Sequence, residues 1–302
     1  IFERLLPLGD GVILCPAHGA GSVCGSSIAP RPWTTLGMER HQNPMLNHVD
    51  RDAFVAAVAH AQPRPPYFRQ MERLNLNPPS QTDRRWMPPL DTDTFAHRAA
   101  AGLVVDTRPV EAFGGSHIPM SLCLWSGGLA SFAGWFLPYE KDLFFVSGGE
   151  RSDSAAARAE QTLFRLGYDS VGGYLAGGLT EWHITGRPTE RLKLVSPPEL
   201  CRRLDEGEAI QLLDVRRKDE RKRDGHLQGA VELSLEELAA SPQDLRGSLK
   251  KSSRENPVCV FCGSGLRSTL IASFLEREGH RNLMITLGGT KGWRSTVCPL
   301  KR

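Results

Sequence analysis

Short apolar runs and helix-like stretches follow one another along residues 88–302, and the same order occurs twice. The runs 143–146 and 258–261 are continuously apolar, which is the pattern of a strand buried on both faces. After each run comes a glycine-containing loop that ends in Arg-Ser, followed by apolar residues at helical spacing. In the second copy, Ser268 is predicted to cap this helix and Gly279 to end it. Alternating strands and helices predict an α/β fold, with a mostly parallel sheet flanked by helices.

Polar motifs repeat in step with the apolar runs. Asp106-Thr107-Arg108 is echoed by Asp214-Val215-Arg216, and a Gly-Gly pair followed by a tryptophan closes each copy. Self-similarity over such a distance indicates two copies of one domain. We place these domains at residues 88–189 and 193–302.

The first 87 residues do not join the repeat. They contain an apolar run at 12–14, a helix-like stretch at 52–61 and a proline-rich segment that predicts extended chain. Apolar residues within this segment are expected to pack on a neighbour; they are Tyr67, Phe68, Met71 and Leu74. We assign residues 1–87 to the end of another domain and a linker.

Composition and charge argue against a membrane protein and against a nucleic-acid-binding protein. Of 302 residues, 40% are hydrophobic and 24% are charged, which predicts a soluble globular protein, and no stretch approaches the ~20 apolar residues of a membrane span. The net charge of +3 does not predict a nucleic-acid partner. The basic cluster at 216–223 is interrupted by acidic residues and favours a solvated face, with steering of anionic donors as the alternative.

The termini and the cysteines suggest a cytoplasmic fragment. Seven cysteines are an odd number scattered along a long chain, which favours a reducing cytoplasm over a disulfide framework. The chain opens at Ile1 without the features of a targeting peptide. We therefore expect a cytoplasmic protein whose N-terminal part is missing here.

Cys262 is the strongest candidate for chemistry. It directly follows the apolar run 258–261, and the glycine-rich loop after it leads into a helix. Two glycines let the backbone curl so that several N–H groups face one anionic centre, and the helix N-terminus and Arg267 add positive potential. Such surroundings favour the thiolate and would hold a persulfide or thiosulfate. The alternative, a cysteine that merely fills space at a strand end, is outweighed by the loop and the repeat.

Two further positions test this interpretation. Cys259 completes a Cys-x-x-Cys pair with Cys262, but it lies within the apolar run, and the two side chains should point to opposite faces of the strand. We therefore predict that Cys259 belongs to the core. In the first copy Ser147 occupies the position of the nucleophile, the loop is one residue shorter, and a hydroxyl cannot carry persulfide sulfur. The first copy is therefore predicted to be structural.

Five separated motifs in the C-terminal third together resemble a rhodanese (sulfurtransferase) domain. They are Asp214-Val215-Arg216 with Glu220, Gly225-His226, Gly229-Ala230, the loop 262–268, and Gly288-Gly289 with Trp293. The resemblance implies that Cys262 takes a sulfane sulfur from a donor and passes it to a thiol or cyanide, with Arg267 stabilising negative charge. It implies sulfur-binding residues Gly263, Ser264, Gly265, Leu266 and Ser268, and supporting residues Asp214 and Arg216. Cysteine-loop phosphatases have one more residue between cysteine and arginine, which favours a sulfur donor.

Residues 6–43 resemble the end of a metallo-β-lactamase-fold domain, as found in bacterial persulfide dioxygenase–rhodanese fusion proteins. That resemblance implies iron in a complete dioxygenase domain. No cofactor and no metal are expected in these 302 residues; His18 is the single metal-ligand candidate, and it looks like a late histidine of the two-metal relatives.

The sequence thus predicts a sulfurtransferase of sulfide and persulfide metabolism. The expected partners are a small-molecule sulfur donor, thiosulfate or glutathione persulfide, and a thiol acceptor, with neither nucleic acid nor membrane. The alternative is a non-catalytic rhodanese module that delivers or senses persulfide by protein–protein contact. The oligomeric state is left open.

Overall fold

The computed structural model describes most of the chain in eleven stretches. They are residues 1–17, 29, 31–47, 50–59, 67–77, 87–148, 152–169, 171–241, 249, 256–294 and 296. The chain divides into two compact units, Ile1–Pro63 and Arg64–Arg302. None of the helices in these stretches combines the length and the apolar character that crossing a bilayer requires.

Among its described residues, the first unit contains one small antiparallel sheet and two α-helices, besides two single-turn 3-10 helices at Leu6–Leu8 and Pro44–Asn47. Its elements are β1 (Ile13–Leu14), β2 (Thr34–Thr35), α1 (Leu36–Gln42) and α2 (Arg51–Val58). The Asp50 carboxylate caps α2 by accepting the N–H groups of Asp52 and Ala53. This helix, Arg51–Val58, corresponds to the helix-like stretch predicted at 52–61. His18 lies outside the described residues.

Residues Tyr67–Leu76 form helix α3, although the prolines around them predict extended chain. Tyr67, Phe68 and Met71 pack into the core of the first repeat, and the Gln70 side chain donates to the Gly167 carbonyl. The expected packing is therefore confirmed, whereas the prediction of extended chain is wrong for this segment. The prolines flank the ten residues without interrupting them, and the apolar positions recur every three to four residues, as a helix requires.

After α3, the second unit contains two five-stranded sheets with the same strand order. The first contains β3 (Pro89–Leu90), β4 (Leu103–Asp106), β5 (Leu122–Cys123), β6 (Leu143–Val146) and β7 (Val171–Leu175), ordered β3-β7-β6-β4-β5. The second contains β8 (Lys193–Val195), β9 (Gln211–Asp214), β10 (Val231–Glu232), β11 (Val258–Phe261) and β12 (Leu283–Thr286), ordered β8-β12-β11-β9-β10. Every adjacent pair of these strands is parallel, so the predicted fold class and the duplication are confirmed.

Helices surround each sheet. The first repeat contains α4 (Thr92–Ala99), α5 (Val110–Gly115), α6 (Leu129–Phe136), α7 (Ser152–Arg165) and α8 (Gly178–Ile184). The second contains α9 (Pro197–Asp205), α10 (Lys218–Asp224), α11 (Leu235–Ala240), α12 (Leu266–Arg277) and α13 (Gly289–Trp293). Because helices cover both faces, all four residues of β6 and of β11 are buried, as their continuous apolar runs predict.

Helix α12 also joins the two repeats. Its Ser273 hydroxyl accepts the Cys123 N–H of β5 at 2.9 Å, and Phe274 meets Phe136 edge to face at 5.7 Å between ring centroids. One apolar cluster contains buried residues of both sheets. The helix that starts at the Cys262 loop is therefore fixed along its length by the first repeat.

Candidate active site

Cys262 lies at the carboxyl end of β11, in the centre of the second sheet, beneath the loop that leads into α12. Its side chain is fully buried, and its Sγ accepts the Gly265 N–H at 3.1 Å. Gly265 is the residue before the helix and has φ +104°, a conformation that favours glycine. The first N–H groups of a helix have no intrahelical acceptor, so those of Leu266 and Arg267 add donors at the same end. The loop therefore places a sulfur at a helix N-terminus, as predicted.

The carbonyl groups of the loop are held away from the sulfur by the turn between β12 and α13. The Cys262 carbonyl accepts the Thr290 N–H at 3.0 Å, and the Ser264 carbonyl accepts the Gly288 N–H at 3.0 Å. The Gly263 carbonyl accepts from Lys291 N–H at 3.4 Å. Because these carbonyls accept hydrogen bonds from the turn, they point away from the sulfur, and the N–H groups of the loop can bind an anion.

Gly289 makes this contact sterically possible. It has φ +44°, and a Cβ added there would lie 2.1 Å from the Cys262 carbonyl oxygen and 2.7 Å from the Ser264 nitrogen. Only a residue without a side chain lets the two backbones approach so closely. The Gly-Gly motif therefore shapes the cysteine loop from a distance in sequence.

Ser268 does not cap the helix, contrary to the prediction. Helix α12 begins at Leu266, two residues earlier, and Ser268 lies in its first turn. Its hydroxyl donates to the Gly265 carbonyl at 2.8 Å and lies 3.5 Å from Cys262 Sγ. The predicted end of the helix is close, since α12 ends at Arg277, two residues before Gly279.

Arg267 pairs with a carboxylate. Its two terminal nitrogens donate to the two carboxylate oxygens of Glu220 at 2.7 and 2.6 Å, and a Cβ on Gly263 would lie 3.5 Å from one of them. Burial alone would raise the pKa of Glu220, but the hydrogen bonds and charge of Arg267, with the Arg217 N–H, lower it to about 2. Burial opposes the charge of Arg267 as well, yet Glu220 raises the pKa of that guanidinium. The site thus has a charged pair over the cysteine loop.

Asp214 and Arg216 brace the helix that carries Glu220. Both are buried; the Arg216 guanidinium binds Asp214 through Nε and Nη2 and also donates to the Gly225 carbonyl at 2.8 Å. Gly225 directly follows α10, so the pair ties the strand β9 to the C-terminal end of that helix. They also contact the strand that ends at Cys262: Asp214 pairs with Phe261 in the sheet, and the Arg216 guanidinium lies over the Phe261 ring, 5.4 Å from its centroid.

The described cysteines divide by environment. Cys259 is buried on the other face of β11, within a separate apolar cluster, and burial raises its pKa to about 11. This confirms that it is a core residue. Cys15, Cys123, Cys259 and Cys262 are free thiols, whereas Cys201 is disulfide-bonded, a bond that the prediction of a reducing cytoplasm did not include.

The first repeat reproduces the frame of the site without its nucleophile. Arg108 binds Asp106 and the Ser116 carbonyl, as Arg216 binds Asp214 and Gly225. Ser147 is buried after β6, where Cys262 follows β11. Residues 149–151 of this loop lie outside the described residues, so the predicted difference in loop shape remains a prediction.

Sequence reasoning missed three contributors to the site. Glu220 and Gly289 appear in the motifs that carry the resemblance, but neither was assigned a role, and Thr290 was not singled out. Glu220 lies 47 residues before Arg267, and only the pairing of β9 with β11 brings the two together. The available signal for Glu220 was its place in the motif that begins at Asp214-Val215-Arg216.

We predict that Glu220→Gln removes a pH-dependent part of the stability. In the folded protein this carboxyl has a pKa of about 2, against 4.5 as its ordinary value. Its contribution is therefore complete above about pH 4.5 and disappears as the pH falls toward 2. At 1.36 kcal/mol per pKa unit, we expect the variant to be less stable by about 3 kcal/mol at pH 7. Urea unfolding of both proteins between about pH 2.5 and 7 measures the difference.

Glu206→Gln is the matched control, because Glu206 pairs with Arg202 on the surface, where both side chains are more than half exposed. It should change the stability by no more than about 1 kcal/mol. A gap between Glu220→Gln and wild type that stays constant with pH would contradict the prediction.

Comparison with known proteins identifies the family. The rhodanese-like domain family matches residues 91–185 and 196–296, together more than half of the chain. The uncharacterized protein YibN of Escherichia coli is 28% identical over 114 residues, 38% of this chain and 76% of YibN. The thiosulfate sulfurtransferase GlpE of Actinobacillus succinogenes is 36% identical over 47 residues, 16% of this chain and 42% of GlpE.

A solved structure is also similar to part of this chain. It is a metallo-β-lactamase of Staphylococcus aureus, 28% identical, with a TM-score of 0.46, covering 55% of this chain. The chain spans 45% of the length of that structure. The rhodanese resemblance is confirmed for both repeats: the chain belongs to the rhodanese-like family and carries two rhodanese-like domains.

Proposed function

We propose that the second domain is a sulfurtransferase that carries sulfane sulfur as a persulfide on Cys262. The observation that carries this proposal is the Cys262 Sγ, which accepts a backbone N–H at 3.1 Å at the start of α12, in a loop whose carbonyls are bound elsewhere. This arrangement stabilises negative charge on the sulfur of the attacking thiolate and of the persulfide. The sulfurtransferase name of one relative supports the same activity.

The transfer runs in two balanced steps. The Cys262 thiolate attacks the outer sulfur of thiosulfate, a sulfur–sulfur bond forms to Cys262, and the bond to the sulfonate sulfur breaks to release sulfite. An acceptor thiolate then attacks the terminal sulfur, so that the acceptor leaves as a persulfide and the Cys262 thiolate is restored. With glutathione persulfide as donor, glutathione thiolate leaves in place of sulfite.

Backbone donors and Arg267 have different tasks in this proposal. The Gly265 N–H touches Cys262 directly and, with the N–H groups of residues 263–267, holds the transferred sulfur. Arg267 attracts the anionic donor, but its charge is largely balanced by Glu220, with which it forms two hydrogen bonds. Asp214 and Arg216 act as supporting residues through α10. Ser147, without a thiol, makes the first domain structural.

The setting of this activity is proposed from the wider resemblance. We place it in cytoplasmic sulfide and persulfide metabolism, with thiosulfate or glutathione persulfide as donor, a thiol as acceptor, and a persulfide dioxygenase domain in the same protein. The iron of such a domain would be bound outside the rhodanese-like repeats.

Mass spectrometry of the intact chain tests the proposal against a non-catalytic module. Incubation with thiosulfate should add about 32 Da, one sulfur atom, and peptide mapping should place it on Cys262. A thiol acceptor should then remove this added sulfur, at least as fast as the protein transfers sulfur in multiple-turnover assays. Labelling that the acceptor does not remove would favour a module that only stores or senses persulfide. Labelling of another cysteine would overturn the assignment.

A further inference from the structure

We propose that His117, Glu190 and Glu276 form a binding site for one divalent transition-metal ion of the zinc type, where the two rhodanese-like repeats meet. Each residue offers one ligand atom, and these atoms all lie within 4.8 Å of one another. Among the described residues this is the single group of three such side chains at that spacing. It is separate from the Cys262 loop and uses residues of both repeats.

The hydrogen bonds of His117 leave its Nε2 available as a ligand. The ring is fully buried and stacked on Phe113, and Nδ1 lies 2.9 Å from the Phe113 carbonyl oxygen, which can only accept. The hydrogen of a neutral imidazole therefore sits on Nδ1. Nε2 lies 2.9 Å from a carboxylate oxygen of Glu276, and a positive charge, either a proton on Nε2 or a metal ion, joins the two atoms. A metal-bound histidine usually donates its other ring N–H to such a carbonyl.

Glu190 provides a second, independent indication of a ligand. Its backbone is tied to that of His117 by two hydrogen bonds of 2.9 Å, which fix the two residues side by side. Its Oε2 is buried and has no hydrogen-bond partner. Within the described part of the chain Glu190 forms no ion pair, and Glu276 pairs only with His117. A buried carboxylate oxygen without a partner is unfavourable, and a cation would satisfy it.

The donor set fits a first-row divalent ion. One imidazole nitrogen and two carboxylate oxygens are common ligands of zinc, at about 2.0–2.2 Å from the metal. Three protein ligands leave one tetrahedral position open. A cavity of about 700 Å³ adjoins Glu190 and Glu276, so a water molecule can occupy that position. Calcium and magnesium prefer oxygen ligands throughout, which the histidine disfavours.

The site would link the repeats, because His117 and Glu276 lie 159 residues apart in the sequence. Glu276 belongs to the last turn of α12, whose first turn follows Cys262. Metal binding should therefore stabilise the two-repeat unit against unfolding.

Metal titration of the full chain tests the site. All proteins carry Cys262→Ser to remove the reactive thiol, and are freed of metal with a chelator before titration with Zn²⁺. We expect one Zn²⁺ per chain and an increase of the melting temperature. Glu190→Gln and Glu276→Gln should each weaken binding by about 10-fold or more and remove the thermal shift. Glu278→Gln, an exposed carboxylate just after α12, is the matched control and should bind like the parent.

Co²⁺ distinguishes this site from binding to other cysteines, since thiolate ligands give an intense charge-transfer band that imidazole and carboxylates lack. We expect a spectrum without that band. Absence of binding would mean that a protonated His117 alone balances Glu276, and would overturn the proposal. So would Zn²⁺ affinity unchanged in Glu190→Gln, the least buried of the three ligands and therefore the one whose substitution is least able to disturb folding, or a thiolate band with Co²⁺.

Discussion

Cys262→Ser is expected to lower the rate of sulfur transfer from thiosulfate at least about 10³-fold, which corresponds to about 4 kcal/mol in the activation barrier. The serine hydroxyl occupies nearly the same volume and can still accept the Gly265 N–H, so the fold and the loop should persist. It cannot hold a transferable sulfur, because oxygen does not form a persulfide. Initial rates with thiosulfate and a thiol acceptor, with circular dichroism to confirm folding, measure the effect.

Cys259→Ser is the matched control for this experiment. It makes the same change three residues earlier, on the opposite face of β11, where the thiol is buried and contacts the Thr286 hydroxyl at 3.3 Å. We expect this variant to keep nearly all of its activity, with a loss of stability of about 1 kcal/mol. Wild-type turnover by Cys262→Ser, or loss of transfer in both variants alike, would show that sulfur takes another route.

The features that sequence reasoning predicted correctly are those that depend on local pattern or on repetition. The runs 143–146 and 258–261 are apolar throughout, and a parallel sheet covered on both faces requires that of its central strands. The duplication then extends the assignment from one copy to the other. The opposite orientation of Cys259 and Cys262 follows from the alternation of side chains along a strand.

Features that depend on tertiary contacts escaped prediction. Arg267 was expected to add positive potential at the cysteine loop, but its pairing with Glu220, from a helix after a different strand, was not predicted. Residues 67–76 were predicted to be extended because prolines flank them, although their apolar positions have helical spacing and form α3. His117, Glu190 and Glu276 show no motif, since their approach depends on how the two repeats pack. Spacing along one chain segment carries no information about such contacts.

Gly289→Ala is expected to damage both the stability and the activity of the second domain. The added Cβ would lie 2.1 Å from the Cys262 carbonyl oxygen and 2.6 Å from the Gly263 carbonyl carbon, both backbone atoms without a rotamer to change. The turn must therefore move away, and the 3.0 Å bond between the Thr290 N–H and the Cys262 carbonyl is lost. We expect a destabilisation of about 2–4 kcal/mol from the clash and the positive φ.

Transfer should also slow by about 10²-fold, because the loop N–H groups stabilise negative charge on sulfur only when they are aimed at it. Gly207→Ala separates this effect from backbone strain: Gly207 has φ +79° in the same domain, but no atom lies within 4 Å of an added Cβ. That control should lose about 1–2 kcal/mol of stability and no activity. Urea unfolding and initial rates, measured on both variants, separate the effect of the close approach to Cys262 from the effect of backbone strain. Equal losses in Gly289→Ala and Gly207→Ala would mean that the close approach to Cys262 does not shape the site.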